Sequence, residues 1–282
     1  MAGTSSFAAI GSEQDAFAEY MLAKHSVTPY TVRDTTVLGD RRIQQLNMRK
    51  DAIFPETNPA ISIQEARLTA APNLVRVRGI ITKAWGRFIY IQDQNAGIGV
   101  RQSSGAMVDA ITAGTLKEGD SVEVIGPRNE FNNYAQIQLN SGAYTGANTV
   151  TVLGSNRKIN PIHLTVKQVL HESRLIRISG LRSSGSGNFT ASTNYNFWDG
   201  TTAGDTIVFR VISAADTEIE DAPALSIPKD TFTFEGILAQ FCSSPANGCA
   251  TGYQLYGVRK SDIIVTAPPA PVLKNFNLLS PS

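Results

Sequence analysis

The chain repeats itself, and that repeat limits what it can fold into more than any other feature. The stretch NPAISIQEARLTAAPNLVRVRGIITKAWGRFIYIQD, residues 58–93, is echoed by NPIHLTVKQVLHESRLIRISGLRSSGSGNFTAST, residues 160–193. In each copy Asn-Pro precedes a short helix and then an alternating strand that runs into a glycine, Gly79 in the first and Gly180 in the second. Further on, GDSVEVIGPRNEFNNYAQIQL is echoed by KDTFTFEGILAQFCSSPANGCATGYQLYGV, with Gly126 matching Gly236. A glycine inside a strand marks a bulge or tight bend, and a small barrel needs such a bend to carry its first strand through both sheets.

The first copy can be read element by element. SIQEARLTA is a short helix with Ser62 as N-cap and Glu65 three residues later, a capping box. Strands are expected over residues 74–83, 87–93 and 97–102, a helix or turn in MVDAITAGTLKEGD, two strands in SVEVIGPRNEFNNYAQIQL and a last one in NTVTVLG. Five strands with a helical link between the third and fourth is the order of an oligonucleotide/oligosaccharide-binding (OB) barrel. The expected fold is therefore mainly β: two tandem five-stranded OB-like Greek-key barrels with short helices, plus a small N-terminal helical and irregular segment. The expected boundaries are 1–58 for that segment, 59–154 and 155–266 for the barrels, and 267–282 for a Pro-rich linker leading to a further domain. In the N-terminal segment EQDAFAEYMLAK sets Phe17, Tyr20 and Met21 on one helical stripe, which Pro29 ends. This segment buries too little to stand alone, and both ends of the chain read as cut.

Composition excludes more than it assigns. Lys and Arg number 25 against 24 Asp and Glu, so a role in coating nucleic acid must rest on local patches rather than on net charge. No apolar run of about 18 residues occurs, and membrane insertion is not expected. Cys242 and Cys249 close a short loop rich in Pro, Asn and Gly. A zinc site there would need two further ligands, and no histidine lies near, so a disulfide is the expectation, with two free thiols as the alternative. His25, His163 and His171 are far apart and have no Asp or Glu at ligand spacing. DTEIEDAPAL lacks calcium-loop spacing and reads as a solvated acidic link between strands three and four of the second barrel. With no P-loop, nucleophile elbow or zinc-protease motif, no covalent chemistry, cofactor or metal is expected in this chain.

Residues 59–266 resemble the tandem OB-fold modules of secreted bacterial nucleases and other cell-surface proteins. The resemblance is carried by VRVRGIIT, FIYIQD, GIGVRQ and LKEGDSVEVIGPRNEFNNYAQIQL in the first copy. The second departs from it, with NFWDGTTAGDTIVFRV in place of FIYIQDQNAGIGVRQ and an added cysteine loop. Residues 11–47, through DAFAEYM and DRRIQQL, resemble the end of the C-terminal domain of bacterial secreted 5'-nucleotidases. That family's two-metal chemistry needs Asp-x-His, Gly-Asn-His and Gly-His-x-His motifs that this sequence lacks, so no catalytic residue is carried over. The resemblance implies an extracellular, cell-surface or periplasmic location and a catalytic domain elsewhere in a longer chain.

One face of the first barrel is left as the candidate site. Strand alternation sends Val75 and Val77 one way and Arg76 and Arg78 the other, and it separates Ile89 and Ile91 from Phe88 and Tyr90. With the isoleucines in the core, two arginines stand beside two aromatics on the outer face, with Lys83, Arg87 and Arg101 near its rim. Tyr134, beside Asn132 and Asn133, falls at the loop before strand five. Aromatics for base stacking and cations for phosphates are what single-strand binding requires. The residues expected to contact single-stranded DNA or RNA are thus Arg76, Arg78, Lys83, Arg87, Phe88, Tyr90, Arg101 and Tyr134. Against this, residues 59–152 carry eight basic and seven acidic side chains, so the field is weak. The alternative is a structural spacer or protein-interaction module of a cell-surface protein, with no ligand of its own.

Overall fold

Six strands of the first sheet follow one short helix: α1 (Ile63–Leu68), β1 (Leu74–Trp85), β2 (Phe88–Gln92), β3 (Gly97–Gln102), β4 (Ser121–Phe131), β5 (Tyr134–Leu139) and β6 (Thr149–Gly154). A second helix, α2 (Ala106–Thr112), links β3 to β4. The sheet order is β1-β2-β3-β5-β4-β6, and an added β1–β4 pairing closes the first five strands into a barrel. Neighbouring strands run antiparallel except β3 and β5, which are parallel, as the OB connection requires. The computed structural model of the chain describes residues 59–140, 149–168, 171–200, 205–242 and 251–265. The described residues from Ala60 onward belong to one compact unit. The expected N-terminal helix, the C-terminal linker and Cys249 lie outside the described residues.

The second sheet repeats the plan strand for strand. It holds β7 (Ile162–His163), β8 (Leu175–Ser183), β9 (Thr193–Trp198), β10 (Thr206–Val211), β11 (Phe232–Gln240), β12 (Tyr253–Gly257) and β13 (Ile263–Ile264). Its order, β13-β11-β12-β10-β9-β8-β7, closes through β11–β8, and the parallel pair β10–β12 answers β3–β5. Even the lead-in matches: Ile61 bridges Val77 in parallel, and Ile162 and His163 pair in parallel with β8.

The capping box is present at α1, where Ser62 and Glu65 bond each other's backbone, and the helix buries Ile63 and Ala66 against the first barrel. In the second copy Thr165 and Gln168 close a turn where a helix was expected, and residues 169–170 lie outside the described set. The two strand glycines also divide their duties. Gly180 has φ +73 and sits where the β8–β11 register shifts, so it is a bulge glycine. Gly79 is not: the bulge of β1 falls between Ile81 and Lys83, and a Cβ on Gly79 would lie 3.1 Å from the Gln92 carbonyl oxygen and the Ile63 side chain. Gly79 is there for close approach, not for its φ.

The cores differ in kind. Alternating Val, Ile and Leu fill the first barrel, among them Val75, Val77, Ile89, Ile91, Ile98, Val122 and Ile137. The second is built on Phe189, Phe197, Phe209, Phe232 and Phe234, whose rings meet mostly edge to face. A third apolar cluster joins Tyr90 and Tyr134 of the first barrel to Ile212, Ile237, Ala239 and Val258 of the second. It makes the barrels one packed body.

Candidate functional site

The outer face of the first barrel is solvated at Arg78 but not along β2. Phe88 and Tyr90 project away from the isoleucine core as the alternation requires, but the second barrel covers them, and Tyr90 is 0% exposed. At the β1–β2 turn the barrels come so close that a Cβ on Gly86 would overlap the Ala215 carbonyl oxygen. A Cβ on Gly97 would likewise overlap the carbonyl of Ser173.

Most of the expected cations have partners in this packing. Arg87 grips Asp216 with both arms of its guanidinium, at 2.8 and 2.6 Å, and also donates to the Ser213 hydroxyl. Lys83 is 6% exposed, with its ammonium 2.6 Å from Asp262, itself fully buried. Burial, the largest single influence, pulls the Lys83 pKa down, but Asp262, Glu118 and Glu235 together outweigh it and the net direction is up. Arg76 and Arg78 both pair with Glu123 of β4, at 3.0 and 2.8 Å. The hydroxyl of Ser173 donates to Tyr134 Oη at 2.8 Å. The acidic link is no solvated loop either: Asp216 and Thr217 are buried, and Glu218 pairs with Arg259, whose guanidinium lies 4.4 Å from the Trp85 ring. Arg87 of the Arg/aromatic face and Asp216 of the acidic stretch, far apart in sequence, are each other's partners.

What stays open is a cleft of about 550 Å³ between the barrels. The first barrel lines it with Phe88, Tyr90, Arg101, Phe131, Tyr134, Gln136 and Gln138. The second contributes Asn194, Arg210, Ile212, Ser213, Asp216, Phe241, Gln254 and Tyr256. Strands β2, β3 and β5 and the β4–β5 hairpin thus supply the first barrel's wall, the part of an OB fold where ligands are generally held. Phe88 stacks on Tyr90 with centroids 5.8 Å apart, and the Arg101 guanidinium lies 5.8 Å from the Phe88 ring. Across the cleft, Arg210 is held by the Ser192 carbonyl and the Asn194 side chain. Burial pushes the Tyr256 phenol up to about 12, the Tyr134 phenol higher still, and the Tyr90 phenol well above its ordinary value. All three stay neutral at ordinary pH. The Tyr90 hydroxyl is buried and has no hydrogen-bond partner. No group of three or more potential metal ligands occurs among the described residues.

No family model matches this chain, and no curated protein matches it. Among solved structures it is similar to the hypothetical protein ygiW from E. coli, with TM-score 0.27 and 15% identity over 34% of this chain and 92% of that one. A murine DNA binding protein solved with double-stranded DNA gives TM-score 0.29 and 6% identity over 66% and 94% of the two chains. The tetrameric p202 HIN2 gives 0.29 and 10% over 69% and 92%. Likenesses this low say nothing of the ligand, and the OB assignment rests on strand order.

Of the eight expected contact residues, four line the cleft: Phe88, Tyr90, Arg101 and Tyr134. Arg76, Arg78, Lys83 and Arg87 are not among its lining residues. Sequence reasoning missed Phe131, Arg210, Phe241, Gln254 and Tyr256. Phe131 and Phe241 carried a signal, each being an aromatic at the end of the fourth strand of its repeat. Arg210 and Tyr256 carried none until the second copy's strands were known to face the first.

Proposed function

We propose that the two barrels form one non-catalytic binding module that holds single-stranded nucleic acid, or a nucleotide, in the cleft they share. The observation that supports this is the make-up of the cleft. Aromatic rings and carboxamides come from both barrels, Arg101 and Arg210 are its cations, and its acid, Asp216, is neutralised by Arg87. Rings offer every base a stacking face, while arginines satisfy phosphates. In this reading the site belongs to the pair rather than to the first barrel alone. The module would serve a catalytic domain of a secreted bacterial nuclease or nucleotidase, outside the cytoplasm.

The test is a fluorescence-anisotropy titration of the full chain with a labelled single-stranded oligonucleotide. Replacing Phe88 by Ala should weaken binding about 5- to 100-fold, the worth of one stacked base. A second reading, a rigid spacer without a ligand, is favoured by the ion pairs that occupy Arg76, Arg78, Lys83 and Arg87. Absence of binding at low salt would decide for it.

A further inference from the structure

Phe131 and Phe241 are the exposed aromatics among the large exposed hydrophobic residues described, at 57% and 45%, and they stand together at the cleft. Each ends the fourth strand of its own barrel or directly follows it. Their centroids are 6.4 Å apart with the planes inclined by 61°. We propose that these two rings are a clamp that takes one base of a single strand between them, each barrel supplying one jaw.

The inference rests on the reading above but asks more of it. A planar base sandwiched between two rings needs them two van der Waals separations apart, about 7 Å in all. The present spacing is a few tenths of an ångström short of that, and turning one ring toward parallel converts an edge contact into two stacked faces. The backbone beneath each ring is held in place. Asn132 and Asn133 have φ of 50 and 70, the two-residue turn that closes a hairpin most tightly. The Cys242 N–H donates to the Asn132 carbonyl at 2.9 Å, and the Asn133 amide donates to Gln240 Oε1 at 2.9 Å. The Phe241 N–H donates to the Gly252 carbonyl at 2.8 Å. So the jaws are pinned at their roots and free at their rings, which is pre-organisation without closure. A base is favoured over an apolar side chain as the occupant because Arg101 and Arg210 lie in the same cleft, placed for the phosphates of the strand that carries it.

A base held from both sides loses its grip when either ring is removed. In anisotropy titrations with a labelled single-stranded oligonucleotide, Phe131→Ala and Phe241→Ala should each weaken binding about 5- to 50-fold. The double variant should fall no more than about threefold below the weaker single, since both rings act on one base. Tyrosine at either position should restore affinity and leucine should not, which separates stacking from greasiness. Because both side chains are half exposed, circular dichroism should show every variant folded. Losses that multiply in the double variant, or single variants that bind like the unaltered chain while Phe88→Ala binds weakly, overturn the clamp and leave the cleft reading standing. An unaltered chain that binds no strand at all overturns both.

Discussion

At the scale of single residues, the buried pair of Lys83 and Asp262 shows how a surface pattern became an interface. The two charged atoms are 2.6 Å apart, and Asp262 Oδ2 also accepts from the Val258 and Arg259 N–H groups. Removing one partner of such a pair strands the other charge away from water. Lys83→Met should therefore cost about 3–5 kcal/mol in urea unfolding, and Lys83→Met with Asp262→Leu should recover most of it. A single variant as stable as the parent would mean that the pair is solvated. Tyr90 predicts the opposite sign. Its hydroxyl is buried without a partner, so Tyr90→Phe should raise stability by about 1 kcal/mol, read as a higher melting temperature. Neither outcome could be read from the sequence. Alternation told which way Tyr90 points, because a strand has period two, but Lys83 lies beyond the bulge between Ile81 and Lys83, and no pattern told that another barrel lies on that side.

At the scale of elements, the sequence was most legible where chemistry is local. Ser62 and Glu65 cap α1 through groups three residues apart, and the alternation of VRVR and FIYI is strand geometry in one line. Duties set by distant neighbours were hidden, as Gly79 and Gly86 show. Gly86 turns β1 into β2 with φ +56 and lies against Ala215 and Asp216 of the other barrel. Gly114 has φ +70 but nothing within 4 Å of where its Cβ would be. Gly114→Ala should cost only the left-handed penalty of about 1–2 kcal/mol. Gly86→Ala must in addition push the barrels apart, and its melting temperature should fall well below that of Gly114→Ala. Equal losses would show that the barrels do not rely on this close approach.

At the scale of the whole molecule, the repeat foretold two barrels of one topology, and strand order bears it out. The differences between the copies are also informative. The second copy carries Asp216 and Asp262, the acids that answer the first copy's Arg87 and Lys83. That complementarity needs residues more than a hundred positions apart to meet, so no local pattern announces it. The junction also holds two buried phenols, Tyr90 and Tyr134, and the partly buried Tyr256, and its pH dependence follows. A free tyrosine ionises near pH 10, while Tyr256 in the folded chain does so only at about 12. Between those values the folded state binds more protons than the unfolded one, so stability is full below pH 10 and declines as pH rises toward 12. The raised Lys83 acts in the same direction. The urea midpoint should drop between pH 9 and pH 11, and less steeply in Tyr256→Phe. A flat profile would place these phenols in water.

The central claim is that the paired barrels hold a single strand in the cleft, with Arg101 and Arg210 on its phosphates. The salt dependence of binding tests it most directly. Two neutralised phosphates on a single strand give a log–log slope near −1.4, so raising salt from about 50 to 200 mM should weaken binding about sevenfold. Replacing both arginines by Gln should flatten that slope toward zero. A strand that binds with no salt dependence, or whose slope survives the loss of both arginines, would contradict the account.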